Sequence, residues 1–523
     1  MSRRFTTLSA LALSLALLVT ACGSSKKSST PATTPTAAAA AAGPAVAHLA
    51  FYADMATVDP DVFYDIEGDA VTLSVYDGLL RYKPDSTTLT GALASSWTTS
   101  KDGLRYTFKL RPNAQFSDGS QVTSAAVKTS FQRRTKVNQG PAYMLADVAR
   151  YLTPSPKTFV VVLKKPTADF LDLMASAWGP KVIDPKVLAA HKADAAQKYL
   201  KTHAVGTGPF MLTSFKQGTG YTLTRNPHYW GSKPYFSRIE IAIAPDVSSQ
   251  LLKLQRGDLD AILHGFPLAN LDTVKADKKL AVHTFSSLGT MTLDLNFNRK
   301  PLHSLAVRRA VIEGMNVPEL VKEVWGNTAT VPADAYPSPL LSSGAGISYP
   351  YDVAKIKAAI PKGLKIDVVY TPDSSGVQRR LADLIRQKLA LVGATANVHQ
   401  VELGTVFGYR DNVQKAADIY LSTPTPDAAH PDAWGRIVWY TKGGLNFFNY
   451  SNKGVDAALD AGLRAHGSAA AADYARAGKL ATADWSVAPI AQVQDVVVTR
   501  ADLGGVQHMP AYPWTLDLGA LHR

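Results

Sequence analysis

Residues 93–119 read LASSWTTSKDGLRYTFKLRPNAQFSDG, and the reading of the chain starts here. Leu104, Tyr106, Phe108 and Leu110 alternate with Arg105, Thr107 and Lys109. A period of two is the signature of a half-buried strand. Asp102-Gly103 before this strand and Asp118-Gly119 after it read as tight turns, because Asp-Gly suits the backbone conformations that turns demand. The alternation returns at Tyr221-Thr222-Leu223-Thr224 and Ile239-Glu240-Ile241-Ala242-Ile243. Ile366-Asp367-Val368-Val369-Tyr370 is a shorter, more apolar strand.

Helical stripes lie between the strands. Leu381, Leu384, Ile385 and Leu389 share one face by their spacings of three and four, with Arg379, Asp383 and Lys388 elsewhere. Val307, Ala310, Val311 and Met315 form a similar face. Interspersed strands and helices point to an α/β architecture, and no short-period repeat is present. Gly206-Thr207-Gly208-Pro209 reads as a chain bend before a strand, with glycine admitting positive φ. It is not a phosphate loop: no Gly-Lys-Ser/Thr follows and the spacing is not GxGxxG.

The chain has 523 residues, 46% hydrophobic and 19% charged, enough apolar material for a large core. At roughly 150 residues per domain the length suggests about three domains. The net charge is +13, from 55 basic and 42 acidic residues spread along the chain. No RNP motif or zinc-finger spacing accompanies the basic residues, so the surplus reads as a solvated surface rather than a nucleic-acid site. Attraction to an anionic membrane face is a further use for it. The single cysteine, Cys22, excludes an internal disulfide and a Cys-based zinc site. There is no Gly-x-Ser-x-Gly elbow and no His-Glu-x-x-His helix, and the 12 histidines are scattered. No catalytic residues, metal ligands or cofactor are expected.

Residues 1–22, MSRRFTTLSALALSLALLVTAC, have a basic start and an apolar run too short for a stable span. Leu18-Val19-Thr20-Ala21-Cys22-Gly23 resembles a bacterial lipobox, in which the cysteine takes lipid and becomes the first residue. Residues 1–21 are then a lipoprotein signal peptide. Residues 22–46 have no aromatic and almost no bulky apolar side chain. They cannot bury enough surface to offset their ordering entropy, and read as a flexible tether. No later segment is a continuous apolar run of transmembrane length. The body is expected at the outer face of the bacterial cytoplasmic membrane, in the periplasm or cell-wall zone, lipid-anchored through Cys22.

An ordered set of segments resembles the extracytoplasmic solute-binding proteins, family 5, that serve oligopeptide and dipeptide ABC importers. These are VYDGLLRY at 75–82, the 93–119 run, VGTGPF at 205–210 with RNPHYW at 225–230, QRGDLD at 255–260, LNFN at 295–298, VRRA at 307–310 and DAAHPDAW at 427–434. Together they span nearly all of residues 48–520. One departure is Ala126, where the family often has an acidic residue before the valine. The resemblance implies an α/β, two-lobed periplasmic-binding-protein-like fold with hinge crossovers and an extra inserted subdomain. Lobe 1 would hold 47–82, 203–290 and 488–523, with the subdomain at 83–202, and lobe 2 would hold 291–487. It implies a monomeric receptor that captures a peptide or peptide-like solute and delivers it to a permease with a cytoplasmic ATPase. Relatives that bind metal chelates, haem, sugars or opines leave a non-peptide solute open, and a tethered sensor is a further alternative.

The resemblance also implies site residues. In the peptide-binding branch an aspartate clamps the ligand ammonium, and its match here is Asp427. The plainer reading makes Asp427 a cap on the turn before Pro431. Tyr420 to Thr425, with Thr423, would lie along the cleft, where Pro424 and Pro426 lack an N–H, so that strand pairing is expected to be partial. The dipeptide branch uses an arginine after the strand matching 366–370. The loop Thr371–Gly376 has none, and Arg379 and Arg380 fall in the helix beyond. This points away from a strict dipeptide. Tyr76, Tyr420, Trp434 and Trp439 are candidate cleft aromatics, whereas Tyr229 and Trp230 read as packing residues.

Overall fold

A computed structural model describes residues 45–523. Cys22, the leader at 1–21 and nearly all of the 22–46 tether lie outside the described residues. A mixed sheet of 11 strands runs through the body. Its order is Thr395–Gln400, Lys365–Tyr370, Ile419–Ser422, Leu280–Leu295, Val487–Arg500, Ala261–Ile262, Val46–Phe51, Arg238–Ile243, Gly220–Arg225 and Phe210–Lys216. Ala329–Thr330 adds to Val487–Arg500. Three of the four strands read from the sequence, at 221–224, 239–243 and 366–370, fall within these elements.

The two long central strands organise everything else. Leu280–Leu295 and Val487–Arg500 pair antiparallel from Leu280↔Arg500 to Asp294↔Val487, with breaks of register between Ser286 and Thr290 and between Met291 and Thr292. Before the breaks, Leu280 packs with Leu254, Leu271 and Val498. Past the first of them, Met291, Leu293 and Leu295 join Ala488, Ile490, Leu381 and Ile385 in a different core. The chain thus leaves one core and returns to it along adjacent strands of one sheet.

In the second core, Lys365–Tyr370 and Thr395–Gln400 pair parallel. Parallel neighbours need a crossover, supplied by the helix Val377–Leu391. Leu381, Ile385 and Leu389 are sealed beneath it. Lys388, assigned to the outer face from its spacing, is instead buried, with Nζ 2.8 Å from Glu323 Oε1. Its stem is covered while its ammonium meets the carboxylates of Glu323 and Glu319.

Residues 94–163 contribute a separate four-stranded antiparallel sheet, in the order Ala94–Thr99, Arg105–Leu110, Thr158–Leu163 and Val148–Ser155. Gly103 and Gly119 have φ of +67° and +84°, as the Asp-Gly turns require. Gly206 and Gly208 differ from expectation, since neither is among the positive-φ residues. A Cβ at Gly206 would strike the Val75 carbonyl oxygen, and one at Gly208 that of Ser74. Close backbone approach, not handedness, requires these glycines.

The helix Ser124–Val137 of this subdomain is capped by Thr123, whose side chain accepts from the Ala126 N–H at 3.2 Å. Ala126 stands where an acidic side chain would complete a capping box, so only half of that box forms. The same helix pins the loop that follows the first strand. Arg133 Nη1 lies 2.6 Å from Asp61 Oδ2 and Nη2 lies 2.5 Å from Asp59 Oδ2. Arg134 donates to Asp61 Oδ1 at 2.8 Å and to the carbonyls of Trp178 and Pro60 at 2.7 Å. These ions are almost wholly buried. Removing one partner strands an uncompensated charge. Asp61→Ala is expected to lower unfolding stability by about 3–5 kcal/mol, read from urea unfolding; a change within scatter would show that the network does not hold the loop.

Candidate functional site

The halves of the sheet enclose a cavity of about 710 Å3. Its walls come from the loop just described (Tyr64, Asp65), the turn after Ala261–Ile262 (His264, Gly265), the loop Thr371–Ser375, and the segment Ser422–Asp427. One end is apolar, built by Trp325, Leu403, Phe407, Leu445 and Phe447.

Asp427 is 8% exposed and lines this cavity. Its Oδ2 accepts the hydroxyl of Tyr64 at 2.6 Å and that of Tyr143. Among the described residues no hydrogen bond reaches Oδ1 and no cation pairs with the carboxylate. Burial pushes the Asp427 carboxyl above its ordinary value, and the two phenol hydrogen bonds pull it partly back. Burial, then the Asp427 charge, raises the Tyr64 hydroxyl as well, so it stays a donor. Asp427 does not cap the following helix. His430 does that: its Nδ1 accepts from the Asp432 N–H at 3.2 Å. This requires the neutral ring, and burial lowers the His430 imidazole to about 4. The Ala429 N–H donates to the Tyr82 hydroxyl at 2.9 Å and ties the segment to the other half of the molecule.

The backbone beside Asp427 is also open. Ser422 pairs with Thr292, and the Thr290 N–H donates to the Pro424 carbonyl at 3.3 Å. Even-numbered positions therefore face the Leu280–Leu295 strand, and odd ones face the opposite way. The missing N–H of Pro424 therefore falls on the strand-facing side and not on the cavity side, and the ladder ends there, since the Leu288 N–H donates to the Pro510 carbonyl. Thr423 and Thr425 keep N–H and C=O on the cavity side, where the neighbouring strand has given way to the 371–376 loop. None of these four groups has a protein partner among the described residues.

Of the residues singled out from sequence, Tyr420, Thr423 and Asp427 line the cavity. Tyr420 stands edge-on to Phe447 at 5.2 Å, and the Thr423 hydroxyl lies 3.8 Å from Met291 Sδ. The others are elsewhere. Trp434 and Trp439 are buried in a helical core with Tyr336 and Tyr474. Tyr76 is buried in another core, with Leu79 and Phe210, and borders a separate 380 Å3 cavity, together with Tyr229 and Trp230. Trp230 Nε1 there donates to Asp77 at 2.9 Å. Arg379 and Arg380 are exposed on their helix, outside the lining. Sequence reasoning missed Tyr64, Tyr143, Tyr52, His264 and Trp514. Tyr64 and Tyr143 lie 363 and 284 positions from Asp427, and no local pattern marks them.

A family description, bacterial extracellular solute-binding proteins, family 5 (middle), matches residues 88–446. The chain belongs to that family. A probable D,D-dipeptide-binding periplasmic protein of Escherichia coli is 33% identical over 421 residues, covering 78% of this chain and 80% of the relative. The fold matches NikA from Brucella suis in complex with Fe(III)-EDTA, with a TM-score of 0.82 at 20% identity over 91% of this chain and 99% of the other. It also matches a periplasmic binding protein, DppA, from Helicobacter pylori in complex with the peptide STSA, with a TM-score of 0.78 at 21% identity over 91% and 98%. The two-lobed family 5 architecture is therefore that of this chain, and the family is extracellular. Among the described residues no helix is long and apolar enough to cross a membrane.

For a family 5 protein, a buried carboxylate without a cation is a liability until something occupies the site. Raising its pKa on folding means that the folded state binds the proton more tightly than the unfolded state. The penalty is absent below the ordinary value of 3.8 and grows as pH rises through the shifted one. Asp427→Asn is expected to raise the melting temperature of the ligand-free protein at pH 7, with the gain shrinking toward pH 4. Equal melting temperatures at pH 7 would show that Asp427 carries no electrostatic cost.

Proposed function

We propose that this protein is the receptor subunit of an ABC importer, capturing peptides outside the membrane and handing them to a permease with a cytoplasmic ATPase. The observation that carries the reading is Asp427: a buried carboxylate facing a cavity, hydrogen-bonded on one oxygen, free on the other and lacking a cation. A ligand ammonium supplies the missing charge through a charge-assisted hydrogen bond. The open edge at Thr423 and Thr425 supports it, because an extended peptide satisfies such groups by adding a strand. The names of relatives agree: the Escherichia coli protein is described as probably D,D-dipeptide-binding, and the Helicobacter pylori protein holds a peptide. Among the described residues no lysine or arginine lines the cavity, which speaks against an anionic metal chelate or a haem carboxylate.

In this reading the protein is a monomer without catalytic activity, anchored by lipid on Cys22, and the Leu280–Leu295 and Val487–Arg500 strands are the crossovers between lobe 1 (47–82, 203–290 and 488–523, with the subdomain at 83–202) and lobe 2 (291–487). Ligand contacts to both lobes then bias an equilibrium between open and closed forms.

Short peptides are expected in the small-molecule mass spectrum released by denaturing purified residues 23–523; a single non-peptide species would redirect the assignment to a specialised solute. Asp427→Asn is expected to weaken peptides with a free amine by about tenfold or more, while N-acetylated analogues stay weak in both proteins. Unchanged calorimetric affinity for free-amine peptides would remove the clamp. Gly265 has φ of +75°, and a Cβ there would strike the Ser374 hydroxyl across the cleft. Gly265→Ala is therefore expected to keep the lobes apart, seen as a larger radius of gyration with saturating ligand. A radius equal to wild type would show that this contact does not limit closure.

A further inference from the structure

The chain carries a net charge of +13, yet its cavity is anionic. Among the described residues the ionisable groups that set its charge are Asp65, Asp373 and Asp427, with His264 beside them and no lysine or arginine. His264 is already engaged, with Nδ1 2.5 Å from Glu67 Oε1 and its ring stacked on Trp514 at 4.5 Å. Arg410 stands behind the apolar end, its guanidinium over Phe407 at 5.9 Å and bonded to the Gly444 carbonyl. Asp427 is one buried anion awaiting a partner. Asp65 and Asp373 form a second negative region.

Asp65 belongs to the lobe that supplies Tyr52, His264 and Gly265, and Asp373 to the loop facing it. A Cβ added at Gly265 would strike Ser374 and lie 3.7 Å from the Tyr52 ring, so that loop, the turn and Tyr52 adjoin one another. Tyr52 lines the cavity with Asp65 and Asp373, and burial, then the charges of Glu67, Asp65 and Asp373, raises its hydroxyl. Among the described residues neither Asp65 nor Asp373 has a cationic partner. Asp65 Oδ1 accepts only the Ile66 N–H at 2.7 Å. Asp373 Oδ2 holds the Ser375 hydroxyl and, at 3.1 Å, the Val377 N–H. Closing the cleft therefore brings like charges together, which opposes closure. A cation between them reverses the sign.

We propose that the cavity selects peptides with surplus positive charge, binding the amino terminus at Asp427 and a lysine or arginine side chain at Asp65 and Asp373, which line the same cavity. This rests on the peptide reading and adds its specificity. The second cation touches both lobes, so it stabilises the closed form selectively. The Tyr52 ring offers it a π face as well.

The test is calorimetry on the purified protein with Ala-Lys-Ala, Ala-Gln-Ala and Ala-Glu-Ala. The lysine peptide is expected to bind about tenfold tighter than the glutamine peptide, and the glutamate peptide weakest. The lysine advantage is expected to shrink in high salt and to fall in Asp65→Asn and Asp373→Asn. Equal affinities for the lysine and glutamine peptides, or an advantage that both variants retain, would overturn the charge selection while leaving the peptide reading in place. Failure of all three peptides to bind would overturn both.

Discussion

Everything in this molecule hangs on the pairing of Leu280–Leu295 with Val487–Arg500. Two strands hydrogen-bonded side by side resist shear but bend and twist where their register breaks. The breaks between Ser286 and Thr290 and between Met291 and Thr292 fall where the packing changes from one core to the other. The halves are held in one sheet, yet each keeps its own hydrophobic anchor. A cavity between them can change width without either core being opened.

That arrangement explains how a carboxylate can be kept buried without a cation. Asp427 reaches the cavity from one side, and Tyr64 and Tyr143 bond it from the other. Tyr64 is fixed because Arg133 and Arg134 clamp the loop at Asp59 and Asp61. The phenols lower the cost of the charge but do not neutralise it. The remaining cost is what the proposed ligand ammonium would relieve. The buried ion network, remote from the cavity, serves the site by making that geometry rigid.

Much of the fold was legible from local pattern. The alternation in 105–110, 221–224 and 239–243 and the stripe of Leu381, Ile385 and Leu389 all became buried faces, because period follows directly from backbone geometry. Lys388 escaped the pattern, since a long side chain can leave its own face to reach Glu323. The glycines at 206 and 208 were marked correctly as special but for the wrong reason: their constraint is the backbone of Ser74 and Val75, far away in sequence.

The sequence by itself determined the class of fold, the order of its elements and, through an ordered set of motifs, the family. It also singled out Asp427, Thr423 and Tyr420. Tertiary structure alone decided which aromatics meet the cavity: Tyr76, Trp434 and Trp439 went to cores, while Tyr52, Tyr64 and Tyr143 came to the site. It alone decided that Pro424 turns its missing N–H away from the cavity and that His430, not Asp427, caps the helix. The reason is physical. Periodicity reports which face of an element is buried, but a binding site is made where ends of elements from distant parts of the chain converge, and convergence has no local signature.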